Sequence, residues 1–332
     1  MKIKPKRFLL LSGLLFLLVA GFLLSLLKGP VETHLGDLWS LILGSEENDS
    51  FKTIIIDLRL SRALLAFLVG ASLSLSGAIL QGYFQNPMAG PFVVGVSSGA
   101  SFGAVLCIFF GLNKIILGFS LQSLFAFASG FVIVSLVYLL SQKKGIFKVE
   151  TLLLTGIAAG ALASALTSFL IFLKSESFEQ AVFWLLGSFK LSDWNQITAV
   201  FPLLLLCFIL AQWLAKDMNL LVQGDDTAQS MGCPVGRVRK TFLVISTLLA
   251  SVSVSVSGII GFVGLIVPHW VRILIGPDHR HLFFFSSLTG GIFLIYSDLL
   301  ARTILFPTEL PIGIITAAMG APFFIYLLSQ RR

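Results

Sequence analysis

Ten apolar segments of spanning or near-spanning length divide this chain, with approximate limits 8–27, 63–83, 92–111, 115–140, 151–173, 196–215, 240–257, 259–275, 282–306 and 310–328. A bilayer core is crossed by about 20 helical residues. Backbone donors and acceptors in hydrocarbon must be satisfied within the protein, which leaves helices or a closed barrel. The runs are continuous rather than alternating, and that excludes the barrel. The expected fold is therefore all-α: a polytopic membrane protein of about ten transmembrane helices, with residues 1–332 forming a single transmembrane domain. Composition agrees, because only 12% of the 332 residues are charged and 56% are apolar, against roughly 25% charged in a soluble domain. The limits 240–257 and 259–275 read as two segments, since Gly258, Gly261 and Gly264 favour a break.

Basic residues fall between the apolar runs, where they act as orientation signals rather than as a nucleic-acid surface. With the N-terminus inside, 15 of the 23 Lys and Arg lie in cytoplasmic segments, among them Lys2, Lys4, Lys144, Lys148, Arg331 and Arg332. Both termini are thus expected in the cytoplasm, with the chain in the cytoplasmic membrane of a prokaryote. The run from Phe8 to Leu27 is too long for a signal-peptide core and no small-residue cleavage site follows it, so it reads as a retained first helix. Cys107, Cys207 and Cys233 lie far apart. They indicate neither a disulfide framework nor a metal site, and the first two read as small core residues.

Two loops are long. The outer one, roughly 28–62, carries Glu46-Glu47-Asn48-Asp49 and ends in Arg59-Leu60-Ser61-Arg62; the cytoplasmic one, about 216–239, mixes Leu220, Ala228, Met231 and Val235 with polar residues. Short surface helices suit the second pattern. Ser76-Gly77 and Ser257-Gly258 are each followed by a proline ten residues after the glycine, and Gly95 and Gly276 share the same offset of 181. Segments two and seven run in opposite directions, so an internal repeat of inverted topology is expected.

Three stretches are dense in Gly and Pro: Leu75–Pro91 with Asn86-Pro87-Met88, Ser257–Arg272 with Pro268-His269, and Ser297–Phe324 with Glu309-Leu310-Pro311. His269 beside a proline reads as a hydrogen-bonded structural residue. Asp298 and Arg302 stand at i, i+4 and can pair on one helix face. His279-Arg280-His281 reads as a loop pair of histidines without a third metal ligand. Gly156, Gly160, Ser164 and Ser168 in segment five, with Gly313, Ala317 and Ala321 in segment ten, form small-residue stripes that ordinarily mean helix packing. The chain lacks the sequence G-x-x-x-x-G-K-[ST], so any ATP must be hydrolysed by another chain. Catalytic residues and cofactors are not indicated.

In this order the three stretches resemble the FecCD-like permeases that import iron–siderophore complexes, haem and cobalamin. The combination G-x-x-G-F-V-G-L-x-x-P-H with a downstream P-x-E-L-P-x-G carries the resemblance, which runs from about Arg59 to Leu328. The resemblance implies ten spans, a second permease subunit (a homodimer), two cytoplasmic ATPases and an external binding protein. It implies docking of that protein on Arg59, Arg62 and Arg302, whose guanidinium groups suit bidentate carboxylate contacts. It places ATPase coupling on the loop bearing Gly224, Ala228, Met231, Gly232 and Val235. It also assigns the translocation pathway to spans five and ten, hence Gly156, Gly160, Ser164, Gly313 and Ala317, with Asn86 and Met88 at the cytoplasmic gate. Ser61 and Gln85 depart from the family pattern, which has proline and arginine there: the first softens the docking loop and the second removes a cytoplasmic charge.

The expected function is the permease subunit of an ATP-binding cassette importer for a bulky iron complex, siderophore or haem, with cobalamin as the alternative cargo. From another class, an ion-coupled secondary transporter would need unpaired carboxylates in mid-membrane, and Asp298 has Arg302 within reach. A channel would need rings of charge or a filter repeat.

Overall fold

A computed structural model describes residues 5–29, 31, 33–43, 49–116, 118–143, 146–147 and 149–329. The basic positions Lys2, Lys4, Lys144, Lys148, Arg331 and Arg332 and the acidic run Glu46-Glu47-Asn48 lie outside the described residues. The chain is a bundle of helices. In order they are α1 (Pro5–Leu27), α2 (Leu35–Ile42), α3 (Asp49–Lys52), α4 (Ser61–Tyr83), α5 (Val96–Phe109), α6 (Leu121–Ser141), α7 (Val149–Leu173) and α8 (Phe178–Leu185). They continue as α9 (Trp194–Trp213), α10 (Ala215–Leu221), α11 (Asp225–Ser230), α12 (Val235–Ser257), α13 (Val263–Ile275), α14 (His279–Thr303) and α15 (Ile312–Ser329). Among the described residues, seven helices are long and apolar enough to cross a membrane, and α5, α13 and α15 are shorter apolar helices. Together these ten correspond one to one with the ten expected segments.

Four boundaries differ from expectation, each for a local reason. Residues 115–120 begin no helix: Ile115-Ile116 and Phe119-Ser120 form a two-stranded antiparallel ribbon. The chain turns at Gly118 (φ +81), and α6 starts only where the Ser120 hydroxyl accepts from Ser123 N at 3.1 Å. Segment three becomes helical at Val96, after Gly95 in the left-handed region. Segment eight becomes helical at Val263, after Gly258 and Phe262, both at positive φ. Finally, His279-Arg280-His281 is not a loop but the first turn of α14, capped by the Asp278 carboxylate, which accepts from Arg280 N at 3.1 Å.

Helix α4 is the axis of the bundle. From Ser61 to Tyr83 nearly every residue is buried, and α9, α12, α13 and α14 pack around it. Two glycine contacts bring the backbones together. A Cβ on Gly77 would fall 1.7 Å from the Gly264 carbonyl oxygen, and one on Gly70 would fall 2.1 Å from that of Gly290. Lipid tails are as apolar as Leu, so membrane helices gain little by hiding apolar surface; close backbone approach and polar contacts hold them instead. Ser76 Oγ supplies one such contact, donating to Ser246 O at 2.9 Å in α12. Cys107, Cys207 and Cys233 are all buried.

The Gly77/Gly258 match does not persist as matched local structure. Gly77 sits inside α4, whereas Gly258 ends α12 at φ +70. Gly95 and Gly276 both have positive φ, yet one opens α5 and the other closes α13. The four glycines serve different geometric needs.

Candidate partner surfaces and translocation face

At one end of α4 stand the three arginines singled out in the sequence. A continuous helical path leads into them, because α3 runs through a π-helical stretch, Thr53–Leu60, straight into α4. Ser61 makes this continuity possible: its backbone N–H donates to Ile56 O and its hydroxyl to Asp57 O, and a proline would remove the first bond. The departure from the family pattern therefore yields an unbroken helix rather than a softer loop.

All three arginines are engaged within the chain. Arg59, 4% exposed, donates to Leu26 O at 2.6 Å, to Thr33 Oγ1 at 2.9 Å and to Val31 O. It thereby ties the segment after α1 to the head of α4. Arg302, 6% exposed, donates to Ser25 O and Oγ at 2.8 and 2.6 Å and faces Asp298 at 3.8 Å. Arg62 grips Asp298 with two nitrogens, Nε at 2.9 Å and Nη2 at 2.9 Å. Its third nitrogen, Nη1, reaches Glu309 at 3.0 Å. The expected Asp298–Arg302 pair is thus present but secondary, and the principal partner of Asp298 lies 236 positions away. The side chains of Asp298 and Arg62 are 2% and 12% exposed, that of Glu309 28%. The arginines are brought together as expected; a freely exposed arginine face is what the burial of Arg59 and Arg302 rules out.

At the opposite end of α4 the segment about 216–239 begins with α10 and α11, held down by three polar clasps. Arg239 donates to Tyr83 O at 3.0 Å, pairs with Asp225 at 2.6 Å and lies 5.1 Å from the centroid of the Tyr83 ring. Gln85, at φ +49, donates from Nε2 to Leu221 O at 2.7 Å. Its neutral amide makes a bond that joins the α4 exit to α10. Asn219 donates to Asp278 at 2.8 Å while its carbonyl oxygen accepts from His279 N at 2.9 Å, joining α10 to α14. The Asp278 carboxyl is held below the usual carboxylate range, first by the Arg280 hydrogen bond and then by that from Asn219. None of these clasps has a signal in local spacing.

The coupling candidates separate here. Ala228 is fully buried in the chain's own core, so it offers no surface to another protein. Met231 is 62% exposed. Gly232 (φ +84) is exposed beside it, and Gly224 (φ +113) precedes α11. Val235 is half-buried at the start of α12. Asn86 is exposed and its Oδ1 accepts from Met88 N at 2.9 Å, closing a tight turn after α4.

The small-residue stripes also divide. A Cβ on Gly156 would meet Val94 Cα at 3.0 Å and one on Gly160 would meet Ser98 Oγ at 3.4 Å. Both glycines therefore pack α7 against the start of α5 instead of facing open space. Gly313 is likewise committed, with Leu186 O at 2.3 Å from its would-be Cβ. Ser164, which donates to Ser98 Oγ at 3.2 Å, borders an exposed α7 face that includes Ala161, Leu162, Ala165 and Ser168. Ala317 is half-buried in α15.

The described residues thus form a helical bundle of ten membrane-length or near-length helices, with a polar cluster at one end of the axial helix and a clasped segment at the other. The sequence matches the profile of the FecCD transport family over residues 17–330. It is 42% identical over 283 residues, 85% of this chain and 75% of that protein, to the cobalamin import system permease protein BtuC of Halobacterium salinarum. It is 35% identical over 334 residues, 100% of this chain and 98% of that protein, to the hemin transport system permease protein HmuU of Yersinia pestis. The structure superposes with a TM-score of 0.85 and 34% identity on a metal-chelate type ABC transporter in an inward-facing conformation, covering 97% of this chain and 99% of that one. The chain belongs to the FecCD transport family.

Proposed function

We propose that the chain is the membrane-spanning subunit of an ATP-binding cassette importer that passes a bulky iron complex, siderophore or haem, across the cytoplasmic membrane. It works as a pair of permease subunits with two cytoplasmic ATPases and an external binding protein. The observation that carries this reading is end-to-end similarity to a hemin transport permease, over 100% of this chain. Two features of the bundle support it. The α10–α11 segment is fixed to α4, α12 and α14 by polar contacts and still presents Met231, Gly232 and Gln229 outward, as a coupling surface should. The Asp298 carboxylate is consumed by Arg62 and Arg302, which leaves it no role as an ion-coupling group. In the oriented molecule both termini and the coupling segment face the cytoplasm and the Arg62 cluster faces out. The passage runs along the exposed face of α7 around Ser164, between two copies of the chain. Of the three arginines, Arg62 is the one paired with a partly exposed carboxylate, Glu309, and it is the docking candidate.

Cobalamin is the second reading of the cargo, favoured by the 42% identity to a cobalamin import permease. Competition between haem, a ferric siderophore and cobalamin for uptake by the reconstituted transporter decides between them. Uptake confined to haem or the siderophore supports the first reading, and uptake confined to cobalamin replaces it with the second.

A further inference from the structure

Arg62 spends its hydrogen-bonding capacity on two carboxylates of different character. Asp298 is 2% exposed and belongs to the rigid helix α14. Glu309 is 28% exposed and belongs to the non-helical strap 304–311 between α14 and α15. The strap's end governs how α15 begins: Leu310 N donates to Ala301 O at 2.9 Å, Ile312 N to Gly187 O at 3.1 Å and Gly313 N to Leu186 O at 3.1 Å. Glu309 also lines an open cavity of about 640 Å³ whose other charged residues are Glu179, Lys190 and Asp193, so it can be reached by another molecule. Within the cluster Asp298 is shared by Arg62 and Arg302, so Arg62 keeps one carboxylate partner when Glu309 is displaced.

We infer that Glu309 is an internal latch on Arg62, occupying the place that a carboxylate of an external protein takes on docking, and that its displacement frees the strap and the first turn of α15. The inference rests on the docking reading of Arg62 given above. Exchange of one carboxylate for another conserves the charge-assisted bonds to the Arg62 guanidinium, so it needs no buried charge left unpaired. Asp298 stays in place and keeps Arg62 aimed.

The test reads the first turn of α15 directly. Ile312 is 1% and Ile315 8% exposed, so Ile312→Cys, with Ile315→Cys as a second reporter, is slow to react with a membrane-impermeant maleimide while the latch is closed. In the full chain, Glu309→Gln should raise the labelling rate about fivefold, the effect of a partly exposed ion pair. Glu309→Asp should stay near the parent rate. A short poly-glutamate peptide added outside should raise the parent rate but add nothing in Glu309→Gln, and poly-lysine should do neither. Equal rates in parent and Glu309→Gln, or an equal response to both peptides, overturn the latch. These rates need neither ATP nor an external protein. A latch that fails while uptake is ATP-driven therefore falls alone, and loss of ATP-driven uptake with intact labelling responses removes the importer reading instead.

Discussion

At the Arg62 end of α4 two arginines share two carboxylates, a third binds backbone carbonyls, and the partly exposed carboxylate sits on a non-helical strap. At the Tyr83 end one buried arginine and one glutamine clasp the short helices α11 and α10, an asparagine joins α10 to α14, and Met231 makes no part of those clasps. The first end stores its charge inside and must exchange a contact to engage another protein. The second end separates holding from presenting: polar clasps around buried Arg239 fix the segment, while Met231 and Gly232 face out free of them. A membrane subunit that answers to partners on both sides can therefore have one responsive end and one rigid end, joined by a helix packed too closely to bend easily.

The contrast predicts unequal penalties. The largest follows from Asp298→Asn, which strips Arg62 and Arg302 of their shared counter-charge; breaking a buried pair costs about 3–5 kcal/mol. The variant should lose much of its folded yield in detergent, measured as the monodisperse fraction on size exclusion after heating. Next comes Arg239→Ala, which removes the bonds to Tyr83 O and Asp225. Hydrogen bonds to charged groups contribute about 1.5–3 kcal/mol, and α11 should open to limited proteolysis while the rest of the bundle resists. If Arg239→Ala unfolds the whole chain as fully as Asp298→Asn, the division into two kinds of end is wrong.

Met231→Glu sharpens the comparison from the presenting side. Met231 is exposed, so the change should shift stability by no more than about 0.5 kcal/mol, while co-purification of the ATPase falls. Ala228→Glu should instead destabilise the chain before any partner is involved, because Ala228 is buried in its own core. A further effect, read through pH, concerns Asp278. Its carboxyl has a lowered pKa in the fold, so its contribution is present above the unfolded carboxylate pKa and is lost only as pH falls through the lower folded value. The stability difference between the chain and Asp278→Asn should be at most about 1 kcal/mol. It should hold steady from neutral pH to the unfolded carboxylate range and shrink only at more acid pH.

Period and length made the helices legible. Ten apolar runs gave ten helices, and the errors at Val96, Leu121 and Val263 arise where a glycine or Phe262 at positive φ delays a helix inside an apolar run. Hydropathy cannot register such a turn. The arginines were legible as a group and not as contacts: the i, i+4 pairing pointed Asp298 to Arg302, while Arg62, far away in sequence, holds it more closely. The stripe at Gly156 and Gly160 was legible as small and helical, and packing against Val94 and Ser98, visible only in three dimensions, gives those glycines their use. The clasps of Asn219, Gln85 and Arg239 join residues separated by dozens of positions, so no local pattern announces them.

On the proposed function, this subunit moves its cargo only on energy supplied by another chain. Proteoliposomes containing it, loaded inside with ATP and either supplied with or denied the ATPase subunits, measure this directly when external binding protein and iron-labelled haem or siderophore are added. Accumulation against a gradient is expected only when the ATPase and ATP are both present, unchanged when the proton gradient is collapsed. Accumulation by this subunit alone, driven by a proton gradient, would contradict it.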